Sequence, residues 1–446
     1  MTTSTIVPRL LPSRSPLRGG IAALAALLTA ACAGPAPEAA PNPAPTPAPA
    51  PAAAAPAAGA PGGAPAAAPA GAGQACTYVA RQRPSDPAAA SAASVALKDV
   101  FRDAFMVGAA LNTDQIFERD PGAVALVKRH FNVISPEDVL KWECVHPEQG
   151  RYDFAAPDAY VEFGQRNGIA VIGHTLVWHS QVPAWVFRDA SGQFVSRDTL
   201  LGRMREHIHT VVGRYKGRIM GWDVVNEALI EDGTLRDSPW RRIIGDDYIA
   251  HAFRYAAEAD PAAELYYNDY SLANPQKRDG AVRLVRDLQS QGIRVSGIGS
   301  QDHHQMGWPS PALLDSMLTV FGATGLKVHV TELDIDMLPR ATRGADVGAG
   351  GQRGPNAANN PYTAGLPDSL QRAQAQRYAE IFQVYLKHRD VLDRVTFWGV
   401  RDGDSWLNDW PMRGRTNYPL LFDRSGRPKP AFDAIVRTVR PTGISD

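Results

Sequence analysis

Eight short apolar runs, separated by segments of helical periodicity, restrict the fold of this chain more than any other feature. Their β-branched and aromatic content is typical of buried strands. The runs are FMVGAAL from Phe105, FNVIS from Phe131, IAVIGHTLVW from Ile169, IMGWDVVNE from Ile219, ELYYND from Glu264, VSGIGSQD from Val295, KVHVTELD from Lys327 and VTFWGV from Val395. Strands that alternate with helices pair in parallel through crossover connections. We therefore predict an α/β fold, a single (β/α)8 TIM barrel over residues 95–440.

The intervening segments carry the helical pattern. Apolar residues recur at helical spacing at Leu201, Met204, Ile208, Val211 and Tyr215. A second set, Ala281, Leu284, Val285 and Leu288, is followed by Gly292, a helix stop signal. The sequence has neither a GxGxxG nor a Walker-type loop, so nothing supports a nucleotide-binding, doubly wound sheet.

The N-terminal segment predicts export. Three arginines precede the apolar run IAALAALLTAA from Ile21, which is too short to span a bilayer and is typical of a signal peptide over residues 1–32. The run ends in LLTAAC, which resembles a lipoprotein processing site with Cys32 as the lipidation candidate. Ordinary cleavage around residues 30–33 is the alternative. The destination is therefore the periplasm, the outer membrane as a lipoprotein, or the extracellular space.

Residues 33–94 contain a Pro- and Ala-rich linker. From Ala33 to Gln74 the chain is almost only Ala, Pro and Gly, a composition that cannot build a core and is expected to be disordered. Such a tether serves as a spacer from a cell surface, or is a tolerated insert. With three cysteines, the chain is not a disulfide scaffold. Cys76 and Cys144 are either bridged or free thiols.

Charge narrows the class of partner. Lys plus Arg and Asp plus Glu both number 46, so the chain has no basic excess to attract nucleic acid, and we expect a neutral partner. We also expect a monomer. The segment Leu338–Leu370, rich in Gly, Asn and Pro, is too long for an ordinary connection unless it is functional or mobile. It either overhangs the cleft or is an inert surface excursion, and its position after the seventh strand favours the former.

Polar and aromatic residues stand at the ends of the predicted strands. A barrel of this kind carries its chemistry at the carboxyl ends of the strands. The residues found there are Lys141, Trp142, His174, Trp178, Asn226, Glu227, Asn268, Asp269, Gln301, His303, Glu332, Asp334 and Trp398. We expect them to converge on one rim.

Glu227 and Glu332 end the fourth and seventh strands, on opposite sides of the predicted barrel. Cleavage of a glycosidic bond needs such a pair, one carboxyl protonated to assist the leaving oxygen and one ionised. Asn226 can donate to a sugar hydroxyl, and His303 and Asp334 can keep Glu332 ionised. A single Glu or His at a strand end is more often structural; the simultaneous placement favours a site for an uncharged polysaccharide. No HExxH-type ligand set is present, so neither a metal nor an organic cofactor is expected.

Five motifs in order resemble one family. GHTLVWHSQVPAW from Gly173, GWDVVNEAL from Gly221, YYNDYS from Tyr266, VTELDI from Val330 and WGVRDGDSW from Trp398 are similar to glycoside hydrolase family 10, the endo-1,4-β-xylanases. The similarity runs from about Leu97 to Val439.

The resemblance implies roles for individual residues. Glu227 matches the general acid/base, Glu332 the nucleophile, and His303 with Asp334 the pair that tunes it. Asn226 matches a residue that bonds the sugar 2-hydroxyl, and Tyr267 resembles an aglycone-side position. The positions that match glycone-side binding residues are Glu137, Lys141, His174, Trp178, Gln301, Trp398 and Trp406.

Two departures from the family pattern concern acidic residues. Asp138 in PEDVLKW replaces an Asn that contacts substrate, and Val139 replaces a Glu. An ionised Asp cannot donate, so we expect altered affinity for the distal glycone. Asp302 in SQDHH stands where Ser is usual, and we expect it to raise the basicity of His303.

The resemblance implies a retaining endo-1,4-β-xylanase that acts on xylan or xylooligosaccharides by double displacement. Three alternatives remain open. They are a glycanase of the same fold acting on another β-1,4-glycan, a surface glycan-binding lipoprotein without catalysis, and a transglycosylase.

Overall fold

The computed structural model describes residues 95–339 and 354–439. The predicted signal peptide, the linker, Cys32, Cys76 and residues 340–353 of the predicted loop lie outside this part of the chain. Cys144 is disulfide-bonded. Among the described residues, no helix is long and apolar enough to cross a membrane.

Nine parallel strands are present in the described residues. They are β1 (Met106–Leu111), β2 (Val133–Pro136), β3 (Ala170–Val177), β4 (Gly221–Asn226), β5 (Glu264–Asp269), β6 (Gly297–Ser300), β7 (His303–Gln305), β8 (Lys327–Asp336) and β9 (Leu392–Phe397). Strands β1 to β6 pair in sequence, β6 also pairs with β8, and β9 joins β8 to β1. Eight strands therefore close a barrel, and the predicted fold is confirmed.

β7 was not predicted. It pairs with the end of β8, His303 opposite Asp334, outside the ring of eight. Its sequence is His-His-Gln, which has no apolar run, so hydrophobic pattern alone does not reveal it.

Helices surround the barrel. They are α1 (Leu97–Val100), α2 (Thr113–Ile116), α3 (Pro121–His130), α4 (Trp142–Val145), α5 (Ala155–Arg166), α6 (Arg197–Arg214), α7 (Pro239–Ile244), α8 (Tyr248–Ala259), α9 (Pro275–Ser290), α10 (Pro311–Gly322), α11 (Asp368–Lys387) and α12 (Pro430–Val439). Side-chain caps fix several starts: the Ser196 hydroxyl accepts from the Thr199 amide at α6, which satisfies a donor that the first turn leaves open. α9 ends two residues before Gly292, which has φ +69°.

The core has two parts. Most apolar side chains pack between the strands and the helices, whereas Val133, Ile172 and Tyr266 form a separate small cluster. Gly173 is required where β3 meets β4, because a Cβ there would lie 2.1 Å from the Trp222 ring. This tight packing fixes the strand ends that carry the polar residues.

The described part of the predicted loop packs beside the segment 416–418. The Asn360 side chain accepts from the Thr416 amide at 2.9 Å, and the Tyr418 hydroxyl donates to the Tyr362 carbonyl at 2.6 Å. α11 begins at Asp368, two residues before the predicted loop end. A functional role for the loop stays a prediction.

Candidate active site

A cavity of about 160 Å³ opens at the carboxyl ends of the strands. Its walls contain most of the residues expected from the sequence. The lining residues are Glu137, Asp138, Lys141, His174, Trp178, Gln181, Asn226, Glu227, Gln301, His303, Glu332, Trp398 and Trp406. Nine of the thirteen strand-end residues line this cavity, and both candidate carboxyls are among them. The four that do not line it are Trp142, Asn268, Asp269 and Asp334.

Glu227 directly follows β4 and is 4% exposed. Its Oε2 accepts from Trp178 Nε1 at 2.9 Å, and its Oε1 accepts from Gln301 Nε2 at 2.9 Å. Burial, reinforced by the negative charge of Asp269, raises the pKa of Glu227 to about 7. The protonated acid therefore persists to near-neutral pH.

Glu332 lies within β8 and is 5% exposed. Its Oε1 accepts from Asn268 Nδ2 at 2.9 Å, and its Oε2 lies 3.1 Å from His303 Nε2. Burial alone would raise its pKa, but the hydrogen bond from His303 and the charges of His174 and His303 hold the pKa below the usual value. Glu332 is thus an ionised carboxylate at neutral pH.

His303 links Glu332 to Asp334. Its Nδ1 lies 3.0 Å from the Asp334 carboxylate, which also accepts from Trp406 Nε1 at 2.8 Å. Burial opposes protonation of the imidazole, but the charges and hydrogen bonds of Asp334 and Glu332 outweigh it and raise the pKa of His303 to about 10. A charged imidazolium therefore stands between the two carboxylates.

Two amide side chains join the two halves of the site. Asn268 Nδ2 donates to Asn226 Oδ1 as well as to Glu332, both at 2.9 Å. Gln301 Nε2 contacts Asn226 Oδ1 at 3.3 Å in addition to Glu227. This network fixes the orientations of the two carboxyls relative to each other.

One side of the cavity is charged. Lys141 Nζ contacts the Asp138 carboxylate at 2.9 Å and lies over the Trp178 ring, 5.1 Å from its centroid. Gln181 Nε2 also approaches Asp138. Burial and the neighbouring Asp138 raise the pKa of Glu137 to about 8. A protonated Glu137 can donate to a sugar hydroxyl, whereas Asp138 accepts.

Aromatic rings form the other walls. Trp398 packs edge-on against His174, with centroids 5.3 Å apart, and the His174 imidazole is held by Asp223 at 3.0 Å. Trp406 stacks on Trp410 at 4.8 Å. Such fixed indole faces offer apolar surface to the CH groups of a sugar ring.

Tyr267 does not reach the cavity, so its expected place at the aglycone side is wrong. Its side chain is fully buried, and its hydroxyl donates to Asp269 at 2.5 Å. Residues alternate along a strand, and Tyr267 lies on β5 between the inward-pointing Tyr266 and Asn268, which turns its ring toward the helices.

The expected effect of Asp302 on His303 is also wrong. The Asp302 carboxylate accepts from the hydroxyls of Ser300 and Tyr385, both at 2.5 Å, and lies 3.5 Å from His304 Nε2. Its contacts are thus with Ser300, with His304 and, on α11, with Tyr385. Asp302 lies between β6 and β7 with a φ of +55°, and in this left-handed conformation its side chain reaches Tyr385 of α11.

Three residues that contribute to the site were not among the site residues predicted from the sequence. Asn268 binds the nucleophile candidate, Gln181 lines the cavity, and Asp223 orients His174. Each lies within a motif quoted above, and Asn268 was marked as a strand-end residue. In the described part of the chain, no group of three or more His, Cys, Asp or Glu residues is placed to hold a metal ion.

The sequence model described as Glycosyl hydrolase family 10 matches residues 96–438. The chain is 44% identical over 343 residues to Endo-1,4-beta-xylanase A of Xylanibacter ruminicola, covering 76% of this chain and 92% of that protein. It is 42% identical over 343 residues to Beta-1,4-xylanase of Dictyoglomus thermophilum, covering 76% and 90%.

A solved structure of a GH10 endoxylanase from a sugarcane soil metagenome superposes with a TM-score of 0.73 at 42% identity. The superposition covers 78% of this chain and all of that one. The chain belongs to glycosyl hydrolase family 10.

Proposed function

We propose that the protein is a retaining endo-1,4-β-xylanase, which hydrolyses internal β-1,4-xylosidic bonds of xylan by double displacement. The observation that supports this most is that the pKa values of two carboxyls in one cavity are shifted in opposite directions. The pKa of Glu227 is raised to about 7, while that of Glu332 is held below its usual value. Retaining glycosidases need such a pair.

In the first step, the Glu332 carboxylate attacks the anomeric carbon and the bond to the leaving oxygen breaks. Glu227 donates its proton to that oxygen. The xylosyl unit is then covalently attached to Glu332, and the aglycone departs. A separation of about 5 to 5.5 Å between the two carboxyls is required, and it stays a prediction here.

In the second step, water attacks the anomeric carbon and Glu227 accepts its proton. The bond to Glu332 breaks, and the configuration is retained overall. Asn226 is proposed to bond the 2-hydroxyl, with its amide orientation fixed by Asn268 and Gln301. The imidazolium of His303 offsets the charge of Glu332 before attack and after release.

The remaining cavity residues are proposed to bind the glycone. Trp398 and Trp406 supply ring faces, and Lys141, His174 and Gln301 supply donors. We also retain the proposal that the protein is exported, with Cys32 either lipidated or removed with the signal peptide. Its support is the Arg-preceded apolar run at the N-terminus.

Glu332→Ala tests the assignment. We expect loss of reducing-sugar release from xylan by at least about 1000-fold, because the covalent step has no substitute, with binding of xylooligosaccharides retained. The matched control is Glu206→Ala, at an exposed position on α6, which should leave turnover unchanged. Near-normal hydrolysis by Glu332→Ala would overturn the assignment.

Substrate class is tested on the wild type. Release from xylan should exceed release from cellulose and mannan by a wide margin, with internal cleavage products at early times. A preference for either other polymer would support the alternative glycanase. Predominant longer products at high oligosaccharide concentration would support a transglycosylase.

A further inference from the structure

The backbone of Glu227 is in an unusual conformation that its surroundings must hold. Its φ is +58°, in the left-handed region that side-chain-bearing residues seldom adopt. The Glu227 amide donates to the Asn268 carbonyl at 2.9 Å, and its carbonyl accepts from Arg236 Nε at 3.1 Å. These bonds aim the carboxyl into the cavity.

A buried ion pair lies beneath this turn. Asp269 Oδ1 contacts Lys277 Nζ at 2.9 Å, and both side chains have no exposure. Lys277 comes from α9, on the outside of the barrel, and its ammonium lies 3.3 Å from the Tyr270 ring centroid. Neither residue lines the active-site cavity, so the pair acts on substrate only through other groups.

The Asp269 carboxylate reaches the segment that follows Glu227. Its Oδ2 accepts from the Leu229 amide at 3.3 Å and from the Tyr267 hydroxyl at 2.5 Å. The Tyr267 hydroxyl in turn accepts from the Ala228 amide. Asp269 thus holds both residues after Glu227, one directly and one through Tyr267.

We propose that Asp269, which forms an ion pair with Lys277 on its far side, is a positioning residue for Glu227: it fixes the turn that carries this carboxyl and places a carboxylate beside it. The inference rests on the proposed role of Glu227 as acid/base. It assigns a role to the buried Asp269–Lys277 ion pair, which takes no part in the two proposed catalytic steps.

The charges around Glu227 support an electrostatic effect of Asp269 on the pKa of this carboxyl. Asp269 approaches from β5 and Glu332 from β8, while Arg236 contacts the main-chain carbonyl from the loop after β4. Burial first, then Asp269, raises the pKa of Glu227, and Glu332 contributes less. A negative neighbour favours the protonated carboxyl.

The charge of Asp269 persists through the reaction, unlike that of Glu332. When Glu332 forms its bond to the sugar, its negative charge is lost, and Glu227 would become a weaker base just when it must accept a proton from water. Asp269 takes no part in bond making, so its charge continues to favour protonation of Glu227 in the second step.

The experiment is the pH dependence of kcat/KM for Asp269→Asn on xylotetraose. Asn has nearly the same volume but no charge, so we expect the alkaline limb to move to lower pH by roughly one pH unit. Tyr267→Phe is the matched control, because it removes a hydrogen bond to the same carboxylate without changing the charge. Its alkaline limb should coincide with that of the wild type.

Should Asp269→Asn fail to fold, because Lys277 is left uncompensated, the double variant Asp269→Asn/Lys277→Met removes both charges. It must show a downward movement as well, smaller than that of the single variant because the opposing charge of Lys277 is also lost. A loss of rate at every pH with an unmoved limb, in whichever variant folds, would reduce Asp269 to a structural group and overturn the proposal. Wild-type activity on the same substrate is measured first. Its absence would refute the proposed function rather than this inference.

Discussion

Replacement of Asp302 by Ser should destabilise the fold without changing the pH dependence of catalysis. The Asp302 carboxylate is the acceptor for the hydroxyls of Ser300 and Tyr385, and both side chains are buried. A buried donor left without an acceptor costs roughly 1–3 kcal/mol. Two such donors lower the free energy of unfolding by about 2–6 kcal/mol.

Asp302→Asn is the matched control. Asn keeps one acceptor oxygen, and it tolerates the φ of +55° found at this position better than Ser does. We therefore expect a smaller loss, on the order of 1 kcal/mol. Urea unfolding followed by circular dichroism at pH 7 measures both values.

The destabilisation should also depend on pH. Burial alone would raise the pKa of Asp302, but the charge of His304 and the hydrogen bonds outweigh it and lower the pKa. A lowered pKa contributes stability above the unfolded value, about 3.9. This contribution disappears as the pH falls through the folded value, so wild type and Asp302→Ser should converge in acid. Equal stability at pH 7, or a displaced limb of the pH–rate profile, would refute this account of Asp302.

Three further predictions concern the site itself. The wild-type kcat/KM should fall above about pH 7, because Glu227 must be protonated and its pKa is about 7. The acid limb of the same profile should lie below the usual Glu value, because the pKa of Glu332 is lowered. An alkaline limb above pH 9 would contradict the assignment. Glu227→Ala should lose at least about 100-fold in activity on xylan. It should lose far less activity on an aryl xylobioside with a good leaving group, because such a group needs little protonation. Equal losses on the two substrates would exclude general acid catalysis by this residue. Asp138→Asn should lower KM for xylotriose about 2- to 10-fold, since an amide can donate one additional hydrogen bond to the sugar; an unchanged KM would place Asp138 outside the binding surface.

The barrel was predictable because its signals are local and repeated. Apolar runs such as KVHVTELD and helical spacing such as Leu201 to Tyr215 each specify an element, and the alternation specifies parallel pairing. β7 was missed because three polar residues carry no such pattern. Its pairing with β8 is a consequence of the tertiary structure around His303.

The sequence predicted most of the residues that line the cavity, but it did not predict the direction of every side chain. Glu227 follows β4, Glu332 lies in the carboxyl-terminal half of β8 and His303 begins β7. The barrel topology brings these three residues together. Tyr267 was misplaced because a shift of one residue along a strand reverses the face. Asp302 was misplaced because it lies between β6 and β7 with a φ of +55°, which the sequence does not reveal. Local motif similarity does not reveal that Asp302 bonds Tyr385, which lies 83 positions along the chain.

The Asp269–Lys277 pair illustrates a further limit. YYNDYS marks Asp269 as a strand-end residue, but its partner Lys277 comes from α9. From the sequence alone, Lys277 cannot be distinguished from an ordinary charged residue on the surface of a helix. Only the tertiary structure brings it to Asp269, as a buried counterion near Glu227, the proposed acid/base.

The proposal that Glu227 and Glu332 act on one anomeric carbon is tested by trapping the covalent intermediate. The protein is incubated with a xylobioside that carries fluorine at C2 and a good leaving group, then digested and mapped by mass spectrometry. We expect one added xylobiosyl unit per chain, attached to the peptide at Glu332. Attachment to another residue, or steady turnover with inversion and no labelled peptide, would contradict the mechanism.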